Sequence, residues 1–174
     1  NAFSGATGLQ NVFLIGNTQL VDIAQFNTNQ LFYGTTQSVL ITEFSTKRFT
    51  GTGELTNAIA QLNDATIAII NGYSSIGASA FSGASGLTSI IFSGTSTLRS
   101  IGSNVFQNAA GLTSITIPSS VTSIGSYTFS GATGLTSITF SGTSTLTSIG
   151  TYAFQNATGL TSISIPQSVT SIGD

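Results

Sequence analysis

Apolar residues recur along most of this chain at a fixed spacing that is neither helical nor simply alternating. From Gly111 the run Gly-Leu-Thr-Ser-Ile-Thr-Ile-Pro-Ser-Ser-Val-Thr-Ser-Ile-Gly-Ser-Tyr-Thr-Phe-Ser-Gly-Ala-Thr sets Leu112, Ile115, Ile117, Val121, Ile124 and Phe129 among hydroxyl residues. The order returns from Gly134 in a longer form, in which Phe140-Ser141-Gly142-Thr143-Ser144-Thr145-Leu146 replaces Ile-Pro-Ser-Ser-Val. The period alternates between 23 and 25 residues. Gly86 to Ala110 is another long copy. Asn63 to Ser85 is a degenerate short one, clear from Tyr73 onward, and a last short copy opens at Gly159 and stops at Asp174. Self-similarity at this period indicates a solenoid whose repeats each pack on their neighbours.

Within a repeat, the alternation at Ser114, Ile115 and Thr116 predicts a short strand with Ile115 inward and its neighbours outward. Pro118 ends that strand because it has no N–H to give to a ladder. Val121 and Ile124 then point inward from a second extended segment, Gly125 turns the chain, and Phe129 and Ala132 fill the remaining corner. Leu112, Ile115 and Ile117 follow the L-x-x-L-x-L spacing of leucine-rich repeats. The expected fold is therefore a mainly β repeat solenoid, a leucine-rich-repeat-like stack of rungs with short parallel strands, turns and little helix. It forms one domain over 1–174, repeat-like over 1–23, diverged over 24–62 and regular over 63–174, with the last rung incomplete.

In the diverged stretch, Phe49 to Leu55 echoes the long-form strand and turn, while Leu55, Ala58, Ile59 and Leu62 have helical spacing. This predicts drifted rungs with a short helix or a projecting excursion. Glu43, Lys47, Arg48 and Glu54 lie here, half the charge of the chain, which makes the stretch a candidate for lateral contacts or a ligand site. Rungs that have merely drifted explain it equally well.

The motifs resemble the BspA-type leucine-rich repeat family of bacterial and protist surface proteins. The family pattern is carried by Leu160-Thr-Ser-Ile163-Ser-Ile165-Pro166, by Val169-Thr-Ser-Ile172-Gly173, and by Tyr152-Ala153-Phe154-Gln-Asn-Ala157-Thr-Gly-Leu160. A small buried position that is often Cys in the family is Ala6, Ala84, Ala109, Ala132 and Ala157 here, which fits the same space without thiol chemistry. The resemblance implies a secreted or cell-surface protein used in adhesion.

Composition narrows the chemistry. Charged residues make up 5% of the chain, against about 25% in a typical soluble domain. Three basic and five acidic residues offer nucleic acid no charged face, and Lys47, Arg48 and Arg99 form no patch for a membrane surface. No apolar run approaches the ~20 residues of a membrane helix, so no membrane insertion is expected. A hydroxyl-rich neutral surface leans toward an extracellular product. His, Cys, Met and Trp are absent. The serines have no evident base, and Asp22, Glu43, Glu54, Asp64 and Asp174 form neither a catalytic pair nor a calcium loop. No enzyme activity, metal or cofactor is expected. Asn156-Ala157-Thr158 has the form of an N-glycosylation sequon but falls at the corner assigned to a buried alanine, where it reads as a chance match.

The two ends are complementary. Ser168 to Asp174 followed by Asn1 to Thr7 reproduces Ser120 to Thr133, and the long form follows from Gly8, so the alternation survives the junction. The expected function is a structural subunit of an extracellular filament, copies of itself being the partner and the split terminal repeat being completed head to tail. The interface set is Phe3, Ala6, Leu9 and Val12 on one side and Leu160, Ile163, Ile165, Val169 and Ile172 on the other. A repeat segment of a larger adhesin, with a host or cell-surface ligand, is the first alternative. Ice binding is the second, from outward hydroxyl rows at Ser114/Thr116, Ser137/Thr139 and Ser162/Ser164 about 4.8 Å apart. Ile91 interrupts that row, and Ser and Thr are in any case ordinary exposed-strand residues.

Overall fold

The computed structural model describes residues 46–62, 65–93 and 97–174. Over these residues the chain winds as a parallel solenoid of about five turns. Each turn but the last contributes one strand to each of two sheets, and the last contributes only to the second. The first sheet holds β1 (Thr46–Thr50), β3 (Ile67–Asn71), β5 (Ser89–Phe92), β7 (Ser114–Ile117) and β9 (Ser137–Phe140), in that order. The second holds the two-residue strands β2 (Glu54–Leu55), β4 (Ser75–Ile76), β6 (Ser100–Ile101), β8 (Ser123–Ile124), β10 (Ser148–Ile149) and β11 (Ser171–Ile172).

The register places like residues over like. Ile76, Ile101, Ile124, Ile149 and Ile172 are successive partners in the second sheet, and Ile90, Ile115 and Ile138 in the first. A one-residue slip would turn these columns outward, so burial itself holds the register. β7 stops at Ile117, immediately before Pro118.

A third side closes each turn. There Phe81, Phe106, Phe129 and Phe154 form a column of stacked rings with centroids 5.4–5.6 Å apart. This side carries its own backbone ladder. The N–H groups of Asn104, Phe106 and Asn108 donate to the carbonyls of Ser126, Thr128 and Ser130 in the next turn at 2.8–2.9 Å. Tyr127, Phe129 and Gly131 repeat the pattern onto Thr151, Ala153 and Gln155. The chain can present alternate N–H groups in this way because it enters the left-handed region at Asn104, Asn108, Tyr127 and Gly131.

The described part of the diverged stretch is a rung in register, not an excursion. β1 pairs with β3 and β2 with β4. Helical spacing at Leu55, Ala58, Ile59 and Leu62 yields only a four-residue helix, α1 (Ile59–Leu62), while Leu55 belongs to a strand. The Ile59 N–H donates to Ala80 as the Phe81 N–H does to Val105, so Ile59 takes the phenylalanine position. Phe49 meets the column instead, edge-on to Phe81 at 89°. Among the charged residues of this rung, Arg48 and Glu54 are exposed, whereas Lys47 is half-buried in the row of Ala68, Ile90 and Ile115.

Among the described residues, Thr128 and Ser130 are the polar residues that count as buried in the core. The Thr128 hydroxyl lies 2.7 Å from the Gly125 carbonyl and 2.9 Å from that of Gly102, tying two turns together. Val105 occupies the same place one turn earlier, so Val fits the space. Thr128→Val should therefore remove the hydrogen bond alone and cost about 1–2 kcal/mol in denaturant unfolding; an unchanged midpoint would show the hydroxyl to be dispensable.

Candidate interaction surfaces

The outward face of the first sheet does not carry an unbroken hydroxyl array. The row runs Arg48, Ile69, Ile91, Thr116, Thr139, with Ile91 43% exposed. Thr116 and Thr139 hydroxyls are hydrogen-bonded to each other at 2.9 Å, which commits one of the two protons to the protein. Ser162–Ile165 of the last turn, which would extend these rows, is not a strand. Ser89, Ile91, Ser114, Thr116, Ser119 and Ser141 line a shallow cleft on this face with no charged group.

Many other threonines are also internally committed. The hydroxyls of Thr88, Thr113 and Thr136 each donate to the carbonyl of the preceding threonine in the column, at 3.0–3.3 Å. Beside the second sheet, Thr170 donates to the Thr147 carbonyl, Thr147 to that of Thr122 and Thr122 to that of Arg99, at 3.0–3.2 Å. Sequence alone treats these residues as surface filler. Their recurrence at one position of every repeat is the signal that could have marked them as inter-turn staples.

The five C-terminal residues of the expected interface come together on one face. Ile172 is 59% and Ile165 39% exposed, while their counterparts Ile124 and Ile117 are 2% and 1% exposed. Leu160, Ile163 and Val169 are half-buried, and their counterparts Leu112, Ile115 and Val121 are fully buried. β11 pairs with β10 on one side only. On the third side, the N–H groups of Phe154 and Asn156, equivalent to those of Phe129 and Gly131, lie at the open edge of the ladder. Phe3, Ala6, Leu9 and Val12 lie outside the described residues.

At the sequon Ala157 is buried, as expected, while Asn156 and Thr158 on either side of it are exposed. Side chains alternate around this corner as they do along a strand, so burial of the middle residue turns its neighbours out.

Among the described residues no group of three or more His, Cys, Asp or Glu converges, and no helix is long and apolar enough to cross a membrane. What the geometry offers is a stack of repeated edges and faces, the design of a leucine-rich-repeat solenoid. The BspA type leucine rich repeat model matches six copies over residues 57–174, and the chain belongs to that family. No protein of curated function matches the sequence. Two crystal structures are similar. The pneumococcal vaccine antigen PcpA is 30% identical with a TM-score of 0.59, over 63% of this chain and 27% of that one. The Treponema pallidum leucine rich repeat protein TpLRR is 18% identical with a TM-score of 0.54, over 74% of this chain and 69% of that one, a likeness of fold. This chain thus spans about a quarter of the pneumococcal antigen's length.

Proposed function

We propose that this chain is a non-enzymatic structural element of a cell-surface or extracellular protein, and that it works by stacking. A further rung, carried by a second copy of the chain, docks on the face made by Leu160, Ile163, Ile165, Val169 and Ile172. The observation that carries this reading is the contrast between Ile172, 59% exposed, and Ile124, 2% exposed, at one position of the same repeat. A fully buried side chain of this size is worth about 1.5–3 kcal/mol, so covering five half-exposed ones gains several kcal/mol. The repeat phase supports the choice of occupant: Phe3, Ala6 and Leu9 fall at the places of Phe129, Ala132 and Leu135. Head-to-tail contact of this kind builds an open filament unless rotation closes it.

The share of the pneumococcal antigen that is covered, 27%, favours one other reading. In that reading the chain is a repeat segment of a longer adhesin, and the next rung comes from the same polypeptide. Purified chain separates the two. Filaments by negative-stain microscopy are expected from the 174-residue chain, with monomers from Ile172→Asp and Ile163→Asp. Burying an unpaired carboxylate should weaken association by well over tenfold. A parent chain that stays monomeric at high concentration would overturn supply of the rung by a second copy and leave the adhesin reading.

A further inference from the structure

We infer that Asn156 is an acceptor site for an N-linked glycan. Asn156-Ala157-Thr158 is the one Asn-x-Ser/Thr triplet with x other than proline in the sequence. Such a triplet can be modified only where both its amide and its hydroxyl face outward. The corner meets that requirement. Asn156 and Thr158 are exposed, Ala157 holds the backbone down through its buried methyl, and Asn156 sits in the left-handed region at φ 57. No protein group hydrogen-bonds the Asn156 side chain.

Exposure here is a property of the corner and not of its place in the stack. Asn108-Ala109-Ala110 is the same corner two turns earlier, with a turn stacked on either side of it. Asn108 has the same φ of 57, Ala109 is fully buried, and Asn108 and Ala110 are both exposed. The two corners differ in one chemically relevant atom group. Thr158 supplies a hydroxyl, and Ala110 does not. The structure therefore contains its own comparison, a corner with the same asparagine φ and the same burial pattern that lacks the recognition hydroxyl.

The modification joins the Asn156 Nδ2 to the anomeric carbon of a sugar. The donor is an oligosaccharide carried on a lipid pyrophosphate. The bond from anomeric carbon to pyrophosphate oxygen breaks, the pyrophosphate leaves with the electron pair, and the amide proton passes to a base of the transferase. The inference rests on the extracellular reading only for the route by which the chain meets such an enzyme. It is independent of whether copies stack.

The test is secretion of the whole chain from a eukaryotic host, with intact mass before and after peptide N-glycosidase. One glycan increment is expected, removed by the enzyme with conversion of Asn156 to Asp. Thr158→Ala and Asn156→Gln should carry none. Ala110→Thr should carry two increments, the second at Asn108. Thermal melting of the deglycosylated proteins shows that each variant folds. An unmodified parent, or an increment that survives Thr158→Ala, would overturn the assignment. A single increment on folded Ala110→Thr would overturn its basis in corner geometry.

Discussion

Phe106→Ala is expected to destabilise the solenoid by about 3–5 kcal/mol, the range for removing a fully buried aromatic ring. Phe106 is completely buried at the middle of the ring column, 5.6 Å from Phe81 and 5.4 Å from Phe129. Its removal leaves a cavity that the turns cannot close, because both sheets and the third ladder hold their spacing. Each turn of a solenoid packs only on its neighbours, so a break in the middle separates the stack into two shorter ones. Urea unfolding followed by circular dichroism should show a lower midpoint and a less cooperative transition. Phe154→Ala should cost clearly less, since Phe154 is only partly buried at the end of the column. Equal losses at the two positions would mean that the column is not a continuous element.

Gly125→Ala is expected to be about as damaging, roughly 3 kcal/mol or more, although it adds a single methyl group. The methyl would lie 2.5 Å from the carbonyl carbon of Gly102 and 2.5 Å from the amide nitrogen of Ser103. Both are backbone atoms of the preceding turn and cannot rotate away. Relief requires the turns to separate, which stretches the 2.8 Å hydrogen bond from the Gly125 N–H to the Ile101 carbonyl. It also pulls the Thr128 hydroxyl from the Gly102 carbonyl. The same close approach to the backbone of the preceding turn holds at Gly102, Gly150 and Gly173, the glycines of other Ile-Gly pairs. Ser126→Ala, one residue on, should lie within about 0.5 kcal/mol of the parent and serves as the control in the same unfolding series.

The period, the two strand segments of each repeat, the stop at Pro118 and the inward columns at Ile115, Ile124 and Phe129 were legible from residue types. Their signal is burial, and burial is written in side-chain size and spacing. The third ladder was not legible, since backbone N–H groups leave no mark on residue identity. A hint existed in the recurrence of Gly83, Asn108, Gly131 and Asn156 at one position, the residue types that tolerate positive φ. Tyr127 and Tyr152 conceal the same conformation at the other left-handed position of the turn, where the signal would be Asn. Helical spacing at 55–62 did indicate the short helix Ile59–Leu62, which the rung limits to a single turn while Leu55 stays in a strand. The five C-terminal residues of the expected interface could each be matched to an interior twin because the repeat phase assigns one. At the sequon the buried alanine was legible, whereas the exposure of Asn156 and Thr158 on either side of it follows from side-chain alternation that the alanine alone does not reveal.

The alternation of asparagine and glycine at that corner has a consequence for how such a gene can change length. The Asn108 Oδ1 rests where a Cβ on Gly131 would have to stand. Excising a short and a long turn together returns glycine to its place above asparagine and phenylalanine above phenylalanine. Excising a glycine-bearing turn alone would set asparagine on asparagine, and the Asn108 carboxamide would have to rotate away from the second β-carbon. Excision or duplication in pairs leaves this packing unchanged, so the pair is the step that costs the corner nothing.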